Sequence, residues 1–315
     1  MRVFVTGGAG FIGSNYVKQL LLDGDTEIKK VTVLDKLTYA GNLSNLNGVH
    51  QLSKLNFVHG DICDQKLVSE VLRGHDVVIN FAAESHVDNS ITNANPFILT
   101  NVLGVQTLLE ASLACGIEKF IQISTDEVYG SIIQGEASED ALLNPSSPYS
   151  ASKASAELIA LSYFRTHGLD VRVTRSSNNY GSGQHKEKLI PLFIQNLINN
   201  KPVPLYGDGL NVRNWIHVDD NCHGITAVLE KGKPGNIYNL GGKFSISNLE
   251  LTKKMLTHFN KGKEFIEWAQ DRKGHDYRYA ISSVKAQQEL GFKEKIDFES
   301  EFHNTLNWYA KNITT

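Results

Sequence analysis

Apolar positions along this chain fall in short runs, separated by stretches in which they recur at helical spacing. Residues 1–6 form a strand-length apolar run; after a cluster of glycines, Phe11, Ile12, Val17, Leu20 and Leu21 return at roughly helical intervals. Residues 31–34, 56–59, 76–80 and 120–123 read as further strands, with a helical stretch between the second and third of these. Residues 96–115 predict a long helix with Ile98, Val102, Val105, Leu108, Leu109 and Ser112 on one side. An Ala-rich segment at 149–167 predicts another helix, and residues 170–175 a further strand. Strand alternating with helix predicts an α/β fold built on a doubly wound parallel sheet. Past Gly181 this rhythm is lost: residues 189–198 look helical, residues 202–211 are rich in Gly, Pro and Asn, and the remainder mixes strands and helices. The expected organisation is a sheet domain over 1–180, rejoined by 214–240, and a smaller C-terminal α/β lobe made of 181–213 and 241–315.

The glycines after the first run satisfy G-x-G-x-x-G at Gly8, Gly10 and Gly13, and a looser G-x-x-G-x-x-G beginning at Gly7. Strand, glycine turn and helix is the context a dinucleotide fingerprint requires. Absent side chains let the backbone approach a pyrophosphate, whose charge meets the helix N-terminus. Asp35 ends the second strand about 20 residues on, where a carboxylate accepts hydrogen bonds from the adenosine ribose and repels a 2′-phosphate. NAD is therefore expected over NADP, with Lys36 the neighbour that softens the preference. Asp61-Ile62 and Phe81-Ala82-Ala83-Glu84-Ser85 follow two of the strands, where ligands of open α/β sheets bind.

The densest chemistry lies between Phe120 and Lys153. The strand at 120–123 runs into Ser124-Thr125-Asp126-Glu127, and a Gly-, Ser- and Pro-bearing loop leads to Tyr149-Ser150-Ala151-Ser152-Lys153. Tyr149 and Lys153 are four apart, on one helix face. A phenol titrates near about 10 in water and needs nearby positive charge to act as a base at neutral pH. Lys153 supplies one such charge, and an oxidised nicotinamide would supply another. Asp126 and Glu127 form a carboxylate pair whose members can be driven to acid and base roles. Lys188, Arg213, Arg272 and Arg278 fall in the lobe, where cations suit a diphosphate-bearing substrate.

Composition narrows the partners. A formal charge of -3 gives no pull toward nucleic acid or an anionic membrane. Three widely spaced cysteines, Cys63, Cys115 and Cys222, suggest reduced thiols rather than a disulfide framework or a metal site. No apolar run approaches membrane-spanning length, and the first residues enter a strand without room for a signal peptide, so a cytoplasmic protein is expected.

Thr6-Gly7-Gly8-Ala9-Gly10-Phe11-Ile12-Gly13-Ser14 together with Tyr149-x-x-x-Lys153 resembles the extended short-chain dehydrogenase/reductases, a Rossmann-type family. Within them the chain is similar to the dTDP-glucose 4,6-dehydratases. The likeness runs through Leu34-Asp35-Lys36-Leu37-Thr38-Tyr39, Ala82-Ala83-Glu84-Ser85-His86-Val87-Asp88, Ser124-Thr125-Asp126-Glu127-Val128-Tyr129-Gly130, Ser177-Asn178-Asn179-Tyr180-Gly181, Glu187-Lys188-Leu189-Ile190-Pro191 and Gly274-His275-Asp276. Thr-Asp-Glu is its most specific element, because epimerase, decarboxylase and reductase relatives typically lack the acidic pair. The resemblance implies that Tyr149 takes the sugar 4-hydroxyl proton while the C4 hydride passes to NAD. Lys153 depresses the phenol pKa and holds the nicotinamide ribose, and Thr125 hydrogen-bonds the reacting oxygen. Glu127 then removes the C5 proton, Asp126 protonates the departing 6-hydroxyl, and the enone takes the hydride back at C6. Elimination needs both an acid and a base at neighbouring carbons.

The same resemblance implies NAD contacts from Gly7, Gly10, Phe11, Ile12, Gly13, Asp35, Lys36, Asp61, Ile62, Ala82, Ala83, Tyr149, Lys153 and Asn179. It implies nucleotide-sugar contacts from Ser85, Thr125, Asn178, Lys188, Leu189, Tyr206, Arg213, Asn248, Asp271, Arg272 and His275, no metal, and a homodimer built on the helices at 96–115 and 149–167. Departures cluster: Asn89 and Ser176 replace an Arg and a Cys, Lys273 replaces a Pro, and Gly181-Ser182-Gly183-Gln184-His185-Lys186 loses two prolines and two aromatics. A loop thinned beside the substrate would admit a larger C2 substituent, so UDP-N-acetylglucosamine and UDP-glucose stand beside dTDP-glucose. A C4 epimerase or uronate decarboxylase has no use for Asp126 and Glu127 together, and a non-enzymatic NAD sensor would normally have lost Tyr149 or Lys153.

Overall fold

Twelve strands follow in chain order: β1 (Arg2–Thr6), β2 (Lys30–Asp35), β3 (Leu55–His59), β4 (Val77–Asn80), β5 (Lys119–Thr125), β6 (Asp170–Ser176), β7 (Asn178–Tyr180), β8 (Val203–Tyr206), β9 (Val212–His217), β10 (Ile237–Leu240), β11 (Phe244–Ser247) and β12 (Ile266–Ala269). They are seen in a computed structural model that describes residues 1–22 and 27–312; residues 23–26 and 313–315, parts of the expected sheet domain and lobe, lie outside it. Seven strands form one all-parallel sheet in the order β10-β6-β5-β4-β1-β2-β3. The order reverses between β1 and β4, which opens a crevice beyond their carboxyl ends, the place where such sheets bind ligands.

Strands covered on both faces read as continuous apolar runs. Val3, Val5, Val31 and Val33 face the helices Phe11–Leu20 and Val218–Lys231, whereas Phe4, Val78 and Phe120 face Val105–Cys115 and Pro148–His167. A separate core of Tyr180, Ile190, Phe193, Trp215, Met255 and Phe302 joins the elements after β6. There β9 lies between β7, to which it is parallel, and antiparallel β11, and β8 pairs with β12.

Two local features fix the parts that matter for chemistry. Helix Pro148–His167 starts at a capping box: Ser150 donates its backbone N–H to the Ser147 hydroxyl, and Ser147 donates its own to the Ser150 hydroxyl, each at 3.1 Å. Pro148 adds a preset φ at the first helical position. Tyr149 therefore sits in the first turn, with Lys153 and Glu157 four and eight residues on along the same face.

The helix at Asn95–Cys115 corrects two expectations. It is 21 residues long and holds an 18-residue stretch of mean hydropathy 1.4, enough by length and composition to cross a bilayer, but half of that stretch is buried against neighbouring elements. Leu99–Gly104 is a π-helical segment, so the phase slips: Ile98, expected inside, is 49 % exposed, and Phe97, Asn101 and Gly104 turn inward instead. Asn101, 1 % exposed, donates to the Glu84 carbonyl (3.0 Å) and the Ser152 hydroxyl (2.8 Å) and accepts from Glu84 N–H (2.8 Å). It thereby ties the end of the β4 crossover to helix Pro148–His167. Asn101→Ala would leave these groups unpaired in the interior and is expected to cost about 1–3 kcal/mol, read from urea unfolding.

Candidate active site

The crevice at the sheet reversal is a continuous cleft, and the glycine turn shapes its floor. Gly7 has φ +67°, and a Cβ there would lie 2.6 Å from the Ala82 nitrogen; one on Gly13 would lie 2.3 Å from the Gly7 carbonyl oxygen. Only glycine lets β1, β4 and helix Phe11–Leu20 approach this closely. Asp35 is buried at the end of β2, and its two oxygens accept from the backbone N–H of Ala9 (2.9 Å) and Leu37 (2.8 Å). This locks the glycine turn to the second strand. Lys36, next in sequence, is not free to meet a phosphate, because its ammonium pairs with Asp61 at 2.6 Å.

Every residue expected to contact a dinucleotide lines this cleft: Gly7, Gly10, Phe11, Ile12, Gly13, Asp35, Lys36, Asp61, Ile62, Ala82, Ala83, Tyr149, Lys153 and Asn179. Thr125, Asp126, Glu127, Ser85, Asn178 and Lys188 line it as well. The register Ser124↔Arg175 and Thr125↔Ser176 makes β5 and β6 finish together, so the 3₁₀ turn Asp126–Tyr129 projects into the cleft. Gly130 ends that turn at φ +69°, where a Cβ would stand 2.1 Å from the Asn144 carbonyl oxygen.

Burial sets the electrostatics. The Asp126 carboxyl is 3 % exposed; desolvation and the neighbouring Glu127 push its pKa up to about 8, against the pull of Arg213 and the Thr125 hydroxyl. Thr125 Oγ1 lies 3.2 Å from Asp126 Oδ1, and Asp126 Oδ2 has no partner among the described residues. Desolvation raises Glu127 as well, and its pKa stays above the ordinary carboxyl value although Arg272, Lys188 and Arg213 pull it down; Asp276 adds to the rise. Lys153, 5 % exposed, donates to the Ile123 carbonyl at 2.6 Å; burial lowers its pKa to about 8 and Glu157 opposes the fall. Burial, then Glu127 and Asp126, hold the Tyr149 phenol well above its ordinary value, with the Thr125 hydroxyl pulling down.

The remaining expected substrate residues stand beyond the cleft lining. Arg213 is buried on β9, 4.3 Å over the Tyr279 ring, and donates to the Asp276 carbonyl at 3.0 Å. His275 and Asp271 pair at 2.6 Å, and the His275 ring meets Tyr206 edge-on at 6.4 Å. Arg272 approaches Asp88 at 3.9 Å, Asn248 heads a lobe helix with its Oδ1 buried and unpartnered, and Leu189 packs on the lobe core. Arg278 is not among these cations: its guanidinium donates to the carbonyls of Ile132 and Gly135, fastening a loop.

One residue near the acidic pair, Tyr279, escaped the sequence reading. The Tyr279 hydroxyl lies 2.9 Å from Asp276 Oδ2 and 3.5 Å from Glu127 Oε2, and Ser146 donates to Asp276 Oδ1 at 2.7 Å. Asp276-Tyr277-Arg278-Tyr279 carries no periodicity that would point inward; the signal was its place just after Gly274-His275. The thinned loop borders the cleft from the glycine turn to Ser85, where Lys188 at its end donates to the Ser85 carbonyl at 2.7 Å. Ser182 O accepts from Asn15 Nδ2 (3.4 Å), Gln184 N–H donates to the Tyr309 hydroxyl (2.7 Å), and His185 meets Tyr39 edge-on at 5.6 Å. These contacts put residues 182–185 over the glycine-turn side of the cleft.

Residues 4–305 match the family described as GDP-mannose 4,6 dehydratase. The dTDP-glucose 4,6-dehydratase of Streptomyces antibioticus is 52 % identical over 315 residues, which cover 99 % of this chain and 93 % of that protein. A crystal structure of the dTDP-glucose 4,6-dehydratase of Streptomyces venezuelae, with NAD bound, is similar at a TM-score of 0.98 and 50 % identity, over 100 % of this chain and 98 % of that one. The UDP-glucose 4-epimerase of Thermotoga maritima, solved with UDP-glucose, reaches a TM-score of 0.91 at 29 % identity, over 99 % and 100 % of the two chains.

Asp126 is expected to stay a neutral acid at pH 7 and to ionise as pH rises through about 8. The check is a protonated-carboxyl infrared band that fades across that range and is missing in Asp126→Asn. A band already lost near about pH 4, the ordinary carboxyl value, would contradict the burial argument.

Proposed function

The chain belongs to the GDP-mannose 4,6 dehydratase family, and on that premise we propose that it is an NAD-dependent nucleotide-sugar 4,6-dehydratase acting on dTDP-glucose. The observation that carries this reading is the divided environment of two adjacent carboxyls. Burial raises both carboxyls, but Asp126 is pushed to about 8 and has a single cation, Arg213, against it, whereas Glu127 is opposed by three cations. A pair of titratable groups with pKa values driven apart is the arrangement an acid and a base require. C4 epimerisation and decarboxylation leave that pair without work.

The cleft suits NAD. Asp35 stands where the adenosine ribose would lie, its charge opposes a 2′-phosphate, and Lys36 is engaged by Asp61. Bound NAD supplies a hydride acceptor at C4, a positive charge near the phenol, and the return of that hydride at C6. Tyr149 takes the proton of the 4-hydroxyl, with Thr125 bonded to the same oxygen and Lys153 charged at neutral pH. Glu127 removes the C5 proton, which a neighbouring ketone has made acidic, and Asp126 delivers its proton to the departing 6-hydroxyl. Lys188, Arg272 and Arg213 serve the diphosphate as well as Glu127, and Tyr206, Asn248, Asp271 and His275 are assigned to the nucleotide. Residues 181–213 and 241–315 would thus form the substrate lobe on an NAD domain.

Glucose on a dTDP carrier is favoured over UDP-N-acetylglucosamine by the likeness along the whole chain to dTDP-glucose 4,6-dehydratases. We also propose a homodimer through the packed helices Asn95–Cys115 and Pro148–His167, which leave Ile98, Leu99, Leu103 and Leu158 between 45 % and 55 % exposed. Cys63, Cys115 and Cys222 are free thiols, in keeping with a cytoplasmic setting.

Purified protein offered dTDP-glucose, UDP-glucose and UDP-N-acetylglucosamine should convert the first to a product lighter by one water. An isomer of unchanged mass would establish epimerisation instead. Glu127→Gln should retain C4 oxidation while dehydration falls about 10²–10⁴-fold, so reduced nicotinamide accumulates; normal turnover would remove Glu127 from the base role. Leu99→Glu with Leu158→Glu should convert a sedimenting dimer to a monomer, and an unchanged dimer would exclude this face.

A further inference from the structure

Arg175 is a buried guanidinium, 3 % exposed, that does not line the cleft and takes no part in the chemistry above. Its Nε donates to Glu157 Oε2 at 2.9 Å, and Glu157 is fully buried. Its Nη1 donates to the Tyr129 hydroxyl at 2.6 Å and to the Glu139 carbonyl at 3.2 Å, and Cζ stands 4.7 Å from the Tyr129 ring centre. The Tyr129 hydroxyl in turn donates a hydrogen bond to Asn239 Oδ1 at 2.9 Å. Glu157 is one helical turn beyond Lys153 on the helix that carries Tyr149; Tyr129 closes the 3₁₀ turn that begins with Asp126 and Glu127. A single guanidinium therefore joins the element bearing the oxidation pair to the element bearing the elimination pair.

A buried ion pair is a poor source of stability, because desolving both charges offsets most of their attraction. What it does supply is fixed geometry, since a planar donor fork accepts few arrangements. It also supplies charge where burial removes it. Glu157 on the same helix opposes the desolvation of Lys153, Arg175 on β6 stands behind Glu157, and Tyr149 is one turn back; Asp126 and Glu127, on the 3₁₀ turn, act on Tyr149.

We propose that Arg175 is a positioning residue with two separable arms: through Glu157 it anchors the helix that carries Tyr149 and Lys153 for oxidation at C4, and through Tyr129 it holds the turn of Asp126 and Glu127 for loss of water. The proposal rests on the dehydratase reading. Its test follows single turnovers of dTDP-glucose by the nicotinamide absorbance and by product mass, on full-length protein holding NAD. Tyr129→Phe cuts one arm alone: C4 oxidation should stay within about twofold while elimination slows about tenfold, so reduced nicotinamide builds up. Glu157→Gln cuts the other: oxidation should slow about tenfold with no build-up, and its alkaline limb should move to lower pH, because a neutral amide no longer supports the Lys153 charge. Both changes are mild, and thermal unfolding confirms that each variant is folded. Equal slowing of both half-reactions by both variants, or transients like the wild type's, would overturn the proposal. Wild-type protein that reduces its nicotinamide but releases no dehydrated product would instead overturn the dehydratase reading and the Tyr129 arm with it, and the Glu157 arm would still be read from the first transient.

Discussion

Ionisable groups buried at the carboxyl ends of β5 and β6 are the constraint on which the rest of this structure depends. Asp126, Lys153, Glu157 and Arg175 are each 5 % exposed or less, and Tyr149 is 9 % exposed. Isolated charges in such surroundings would neutralise themselves or unfold the chain. Asp126 takes the first course and stays neutral at pH 7, whereas the charges around it are offset by specific partners. Lys153 has the Ile123 carbonyl and Glu157, Glu157 has Arg175, and Glu127 has the field of Arg272, Lys188 and Arg213. The last three come from the segments after β6, so the site is electrostatically complete only when the chain's later elements close over its earlier ones. Backbone bonds between Val212 and both Tyr277 (2.8 Å) and Tyr279 (3.2 Å) hold that cover together.

Rigid placement follows from two local devices rather than from the loops. The capping box at Ser147 sets where helix Pro148–His167 begins, and hence the height of Tyr149 above the sheet. Parallel pairing of β5 with β6 sets where Thr125 leaves the sheet. Groups on regular elements keep their geometry better than groups on loops, and positions that fail by an ångström forfeit much of the benefit of preorganisation. Asn101, at the π-helical segment, adds a third tie by reaching both Glu84 and Ser152.

Much of this was legible along the chain, because the signals are local. Strand, glycine turn, helix and acid repeat within 35 residues, and Thr125 to Lys153 lie close in sequence. What was missed depends on distant contacts. Tyr279 meets Glu127 across 152 positions, and no periodicity in its own segment announces that contact. Arg278 looked like a substrate cation but serves two loop carbonyls, since charge alone does not say where a side chain points. The π segment was hidden for a different reason: helical phase is counted from the sequence, and an i→i+5 turn inserts a residue that the count does not see. The loop at 181–188 stood out along the chain by its departures, yet its seat against Asn15 and Tyr309 comes from tertiary packing.

The likeness to the 29 %-identical epimerase shows how little of the reaction is fixed by the scaffold. Both chains share the architecture at a TM-score of 0.91, so sheet order, glycine turn and lobe cannot decide between inverting a carbon and expelling water. That decision is made within a few ångströms of the 3₁₀ turn. Oxidation at C4 needs only a phenol, a nearby positive charge and a hydride acceptor. Dehydration also needs a carboxyl that stays protonated beside one that does not, and adjacent identical carboxyls in water would not differ in this way. Their surroundings differ: Asp126 is buried with one oxygen unpartnered among the described residues, and Glu127, though also raised by burial, faces three cations. The contrast between the two carboxyls is a contrast of surroundings, and the Tyr129–Arg175–Glu157 contacts join their turn to the helix that carries Tyr149 and Lys153.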